Sequence, residues 1–263
     1  MHATLFLRLT TPGVIPWEYP QYLTAWIYRN MPPLSDHHTT HRRIRPFAVS
    51  RLQFADPVQA DAAGLRPLTP FATLQMGAAD AALLTTFARQ APRSPLRLGT
   101  AVYAVETILV EPVTVPLDST SLTVHLTSPL VIAERSATHS RSRIFIGPDH
   151  ARWALLLRQN LAKKSRRFFG GSGALDTVAV TIPDPARWRR KVNRLYGHAI
   201  VGWTAIDPIT ITGSADVCEA ALTLGLGVYN AHGFGAVAAQ TPHSMPGDDS
   251  DSYGRLSMME GMA

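Results

Sequence analysis

Three imidazoles stand together in the segment Asp36-His37-His38-Thr-Thr-His41-Arg42-Arg43. Histidine exchanges protons near neutral pH, and guanidinium groups hold developing negative charge. Both kinds of side chain in one polar loop suit acid–base chemistry at a phosphodiester. Two other readings stay open. Three histidines with Asp36 could bind zinc, although the i, i+1, i+4 spacing is loose and no thiol partner is implied. They could also be ordinary surface histidines. Tyr28 lies a few residues upstream, at the end of a segment with helical character.

A second cluster is the run Gly225-Leu-Gly227-Val-Tyr-Asn230-Ala-His232-Gly233-Phe234-Gly235. It holds four glycines in eleven residues, against 18 in the whole chain of 263. Glycine admits positive φ and close backbone approach, and a turn of this kind can aim several N–H groups at one phosphate. The plainer alternative is a helix cap at Gly225 and strand or bulge glycines at Gly233 and Gly235. Two phosphate-binding motifs are excluded. No Gly-Lys-Ser/Thr is present, and a helix precedes the run where a dinucleotide fingerprint needs a strand. That helix is read from Val217, Ala220, Ala221 and Leu224, which share one helix face.

Cations surround these candidates. Eleven Lys and Arg fall between 152 and 194, opposed by Asp176 and Asp184, while the net charge of the whole chain is +6. Lys163, Lys164, Arg166 and Arg167 are the densest part of that stretch, and Arg42, Arg43, Arg45 and Arg51 form a second acid-free run. Such fields suit a polyanion, with a solvated surface as the alternative. At 46% hydrophobic and 17% charged residues the chain can bury a proper core. A single cysteine, Cys218, rules out an internal disulfide and falls on or beside the buried face of the 214–224 helix. The first residues read as a strand and not a signal peptide, and no apolar run approaches a membrane span, so a cytoplasmic protein is expected.

These groups need elements to hold them. The first half reads strand (4–10), helix (20–30), a His/Arg loop (35–45), strand (46–54), a strand within 66–78, helix (79–91) and strand (100–111). Pro112 to Ser121 reads as a linker. The second half reads strand (122–132), helix (151–163), strand (177–182), strands around 198–212, helix (214–224), the glycine loop and strand (234–239). Trp188 to Tyr196 reads as a short extra helix. The polar segment 243–263 reads as a flexible tail.

The glycine run is similar to the C-terminal glycine-rich loop of CRISPR-associated endoribonucleases that cut precursor CRISPR RNA within its repeats. These belong to the repeat-associated mysterious protein (RAMP) superfamily. Gly-hydrophobic-Gly, a variable stretch with Asn, then Gly-Phe-Gly matches in spacing. Trp17 to Arg29 resembles the family's first helix and Pro46 to Leu52 the strand that follows. Ser128 to Ile132 resembles the strand opening the second half, and Asn160 to Lys164 a basic helix end.

The resemblance implies an α+β fold of two tandem ferredoxin-like (βαββαβ, RRM-like) domains, at 1–115 and 116–242. It implies a metal-independent endoribonuclease with no cofactor, acting on CRISPR repeat RNA by 2′-hydroxyl attack. A non-catalytic RNA-binding RAMP subunit of an effector complex is the alternative. The family's general base is a histidine shortly before the Pro-Phe strand, which points to His41 ahead of His38 and His37, with Tyr28 assisting. The RNA-binding set comprises Arg42, Arg43, Arg45, Arg51, Lys163, Lys164, Arg166 and Arg167, with Gly225, Gly227, Asn230, His232, Gly233 and Gly235 of the loop. The resemblance leaves open a homodimer and association with a CRISPR effector complex.

Overall fold

A computed structural model of the chain describes residues 1–31, 44–115, 120–135, 143–171 and 174–240. The first half runs β1 (His2–Thr11), α1 (Tyr19–Arg29), β2 (Phe47–Val49), β3 (Gln53–Phe54), β4 (Val58–Ala60), β5 (Leu65–Pro67), β6 (Phe71–Ala78), α2 (Ala81–Gln90), β7 (Leu96–Leu98) and β8 (Ala101–Glu111). Its main sheet has the order β2-β6-β1-β8-β7, with β3 also on β6. The path β8-β1-β6-β2 is the antiparallel order of a ferredoxin-like βαββαβ unit; β4–β5 is a separate ribbon and β7 an added edge.

Local patterning explains these elements. In β1, Ala3, Leu5 and Leu7 alternate into the core. In α1, Leu23, Trp26 and Ile27 face the same core, and Trp26 meets Phe87 of α2 edge-on at 5.3 Å. Asp80 caps α2 by accepting from the Ala82 N–H.

The second half repeats the plan. It runs β9 (Ser121–Leu126), β10 (Ala133–Arg135), β11 (Arg143–Phe145), α3 (Trp153–Phe168), β12 (Ala179–Thr181), β13 (Arg189–Leu195), β14 (His198–Thr204), β15 (Ile209–Thr212), α4 (Ala215–Leu224) and β16 (Val237–Ala239). The sheet order β12-β15-β9-β16 is again ferredoxin-like. The hairpins β10–β11 and β13–β14 are insertions into it. The two tandem ferredoxin-like folds read from the sequence are therefore present. Each half has its own apolar core, around Trp26 and Phe87 in one and Trp153, Leu157 and Leu161 in the other. The helix at 215–224 buries Val217, Cys218, Ala220, Ala221 and Leu224, as its spacing predicts.

Some expectations need correction. Trp188 to Tyr196 is not a helix, because β13 pairs with β14 at every position from Arg189 to Leu195. The cause is the turn: Tyr196 and Gly197 have φ of 50° and 78°, the positive pair that a two-residue hairpin requires. The strand expected over 122–132 stops at Leu126, ahead of Ser128-Pro129. The strand expected over 46–54 is split into β2 and β3, and that over 234–239 begins only at Val237, after the glycine loop. Helix α3 runs past 163 to Phe168. Residues 116–119 of the 112–121 linker and the whole 243–263 tail lie outside the described residues. Among the described residues, no helix is long and apolar enough to cross a membrane.

Candidate nucleic-acid interface

The glycine loop is organised around a buried cation. Lys164 of α3 is 1% exposed. Its Nζ donates toward the carbonyls of Leu224 (3.1 Å), Gly225 (2.7 Å) and Gly227 (3.1 Å) and toward Asn230 Oδ1 (2.8 Å). Burial pulls the Lys164 pKa down to about 7, while oxygen acceptors around an ammonium favour its charged form. Asn230 Nδ2 braces the loop by donating to Leu226 O and Phe234 O.

The loop N–H groups of Leu226, Val228, His232, Gly233 and Gly235 donate to protein carbonyls. In this part the loop therefore presents carbonyls to a protein cation, the opposite polarity from a phosphate cradle. Gly225, Gly227 and Gly235 have packing reasons to be glycine. A Cβ on Gly235 (φ +65°) would lie within 1.9 Å of Leu226 O, and one on Gly227 (φ +66°) within 2.3 Å of Val131 O. Gly233 (φ +77°) has more room, with Arg51 Cδ the nearest atom at 3.4 Å.

Beside the loop lies a cleft of about 400 Å³. The first half contributes Ile44, Arg45 and Phe47; the second contributes Arg143, Asn160, Lys163 and the loop from Gly227 to His232. Tyr28 flanks it, edge-on to Phe47 at 5.7 Å and with the Arg45 guanidinium 5.8 Å from its ring centre. Burial raises the Tyr28 pKa; Arg45 opposes that rise and Tyr196 adds to it. Tyr229 sits in the left-handed region at φ 65°, an uncommon conformation for a non-glycine residue. Arg143 lies 5.4 Å from the Tyr229 ring centre. The cleft thus combines cations with aromatic faces, the combination that holds single-stranded nucleic acid.

The sequence candidates separate into groups. Tyr28, Arg45, Lys163, Gly227, Asn230 and His232 are brought together at or beside this cleft. Arg166 and Arg167 are exposed near the end of α3. Lys164 is not a surface cation: it anchors the loop from inside. Arg51 bridges the halves, with Nε donating to Gly233 O (2.8 Å) and Nη2 to Asn193 Oδ1 (3.0 Å), and its guanidinium lies 4.7 Å from the Phe234 ring centre. His37, His38, His41, Arg42 and Arg43 lie outside the described residues, so the zinc and acid–base alternatives there stand as the sequence left them. Sequence reasoning missed Arg143 and Tyr229. Tyr229 had a signal, as the aromatic between Gly227 and Gly233.

Residues 111–239 match the family model described as CRISPR associated protein Cas6, C-terminal. No curated protein sequence matches the chain. Solved structures share the fold along nearly the whole chain. A Cas6-related protein from Pyrococcus furiosus superposes with a TM-score of 0.78 at 13% identity, over 92% of this chain and 99% of its own. A RAMP protein binding different RNA substrates gives 0.75 at 14% identity, over 92% and 100%. A CRISPR-associated protein Cas6 gives 0.71 at 19% identity, over 92% and 99%. The resemblance read from the glycine loop thus agrees with the comparisons: residues 111–239 match a Cas6 C-terminal domain, and the chain as a whole has the tandem ferredoxin-like fold of these solved structures.

Proposed function

We propose that the protein is a metal-independent endoribonuclease that cuts precursor CRISPR RNA within its repeats. The observation that carries this reading is the cleft where Arg45, beside Tyr28, faces Arg143, Lys163, Tyr229 and His232 from the other half. Ile44 lines the same cleft. Chain length limits how far the histidines can be from it, since three residues span at most about 11 Å and His41 is three residues before Ile44. His38 and His37 have a longer tether. The RNA-binding described for one structural relative is consistent with this charge and aromatic content.

In this reading RNA lies along the seam between 1–115 and 116–242. A histidine of the 37–41 cluster, His41 first, removes the proton from the 2′-hydroxyl. The 2′-oxygen attacks phosphorus and the 5′-oxygen leaves. Arg45, Lys163 and Arg143 offset the extra charge on the phosphorane, and Tyr28 helps hold the scissile phosphate. The products carry a 2′,3′-cyclic phosphate and a 5′-hydroxyl. A non-catalytic RNA-binding subunit is the second reading, and the histidine cluster in the sequence favours the enzyme, because binding alone needs no proton-transfer group.

Replacing His37, His38 and His41 together by alanine tests the assignment. Cleavage of labelled repeat RNA is expected to fall by about 10²-fold or more, with binding nearly unchanged. Cleavage at the wild-type rate would remove these histidines from the chemistry.

A further inference from the structure

Resting on the ribonuclease reading, we infer that Tyr196, at the tip of the β13–β14 hairpin, is a stacking platform for one base of the repeat RNA, that of a nucleotide next to the scissile phosphate. The hairpin is an insertion of the second half, and its tip crosses the seam: the Tyr196 N–H donates to Gln21 Oε1 of α1 at 2.9 Å. The strands behind the tip are held as well. Leu195 and Ile200 pack with Val131 and Phe234 in a small apolar cluster, and Asn193 Oδ1 accepts from Arg51 Nη2. The turn is therefore fixed from both halves of the chain.

The residue on this turn is not one the turn itself favours. Tyr196 has φ 50° and Gly197 φ 78°. Asn, Asp or Gly suit the first of these positions, and a bulky residue there is a backbone outlier. Burial does not compensate, since Tyr196 is 57% exposed. Outliers of this kind persist where the surroundings hold them, and they gather at ligand-binding sites.

The ring stands beside the cleft. It lies 5.9 Å from the His232 ring with the two planes 86° apart, and His232 lines the cleft. The Tyr196 phenol is also near enough to Tyr28 to act on it electrostatically, and Tyr28 is the residue assigned above to the scissile phosphate. A solvent-facing aromatic ring on a fixed backbone, next to a groove lined with cations, is what single-stranded nucleic acid stacks on, with little regard to which base it is. The ring carries this contact and the hydroxyl does not, so Tyr196 acts on affinity and on the placement of the strand.

The test is equilibrium binding. The cut is first mapped on all-ribose repeat RNA with wild-type protein. The same RNA with a 2′-deoxyribose at the cut, which 2′-hydroxyl attack cannot cleave, is then bound to wild type, Tyr196→Phe and Tyr196→Asn. Phe keeps the ring. Asn removes it and tolerates the positive φ, so Tyr196→Asn is expected to melt no lower than wild type; Tyr196→Gly, which suits the turn equally, takes its place if Tyr196→Asn fails to fold. Tyr196→Phe is expected to bind as wild type does, and Tyr196→Asn about tenfold more weakly. RNA made abasic at one position beside the cut is expected to lose about the same factor with wild type and nothing further with Tyr196→Asn, because both changes remove one contact. The proposal is overturned if no abasic position beside the cut weakens wild-type binding, if Tyr196→Asn binds intact RNA as wild type does, if Tyr196→Phe binds as weakly as Tyr196→Asn, or if the two losses add at every position. Those results leave the ribonuclease reading standing. All-ribose RNA that is bound but never cut overturns the ribonuclease reading, and with it the place assigned to the base.

Discussion

Lys163 and Lys164 are neighbours in sequence with opposite fates. Lys163 is exposed at the cleft, whereas Lys164 is buried under the glycine loop. Helical register separates them, since Trp153, Leu157 and Leu161 mark the buried face of α3 and Lys164 continues it. That signal was in the sequence, but the pair read first as a charge cluster. No pattern announced what Lys164 would meet, because its carbonyl partners belong to a loop some sixty residues on (|i−j| of 60 to 63). His2 is a second, half-buried titratable group, with Nε2 3.0 Å from Leu222 O. Burial holds its pKa below 6.5 even though the bond to Leu222 works the other way. The unfolded chain therefore takes up this proton first as pH falls. The contribution of His2 is complete above pH 6.5 and is lost below it, with a slope of at most about 1.4 kcal/mol per pH unit. Melting temperatures from pH 7.5 to 5 are expected to fall less steeply for His2→Gln than for wild type. Parallel curves would show that His2 titrates alike in both states.

Among the elements, the glycine loop was legible as helix, loop and strand, but its polarity was not. Spacing showed that the backbone must turn tightly; only the fold shows its carbonyls turned onto Lys164. The loop glycines therefore differ in tolerance. Gly233→Ala is expected to cost somewhat more than about 1 kcal/mol, from positive φ. Gly235→Ala adds a collision with Leu226 O and is expected to unfold at markedly lower denaturant. Equal midpoints for the two variants would contradict the packing described. The hairpin β13–β14 escaped sequence reading because its turn is Tyr196-Gly197 and not the more familiar Asn-Gly. The end of α3 offers the electrostatic test. Alanine at Lys163, Arg166 and Arg167 together is expected to weaken RNA binding and flatten its salt dependence, by about 0.7 in log–log slope for each phosphate no longer neutralised. Lys164→Ala is expected to cost stability instead. An unchanged slope for the triple variant would make that end of α3 a merely solvated face.

At the scale of the molecule, the two halves are joined at several places on one seam. His2 reaches Leu222, Thr24 reaches His232, Gln21 Oε1 accepts from the Tyr196 N–H, and Arg51 holds Gly233 and Asn193. Gly77 lets α4 lie against β6, where a Cβ would come within 2.1 Å of Thr223 O. The order of the ferredoxin-like elements, apart from the inserted hairpins, and the residues of the loop were legible in the sequence. The seam was not, because it depends on contacts between segments more than a hundred residues apart. The central claim is that this seam cuts RNA without a metal. Its most direct test is incubation of the purified protein with end-labelled repeat RNA in excess EDTA, with the products resolved at nucleotide resolution. The account predicts one cut within the repeat at an undiminished rate, leaving a 2′,3′-cyclic phosphate and a 5′-hydroxyl. Tight binding with the RNA left intact, or cleavage that stops in chelator, would contradict it.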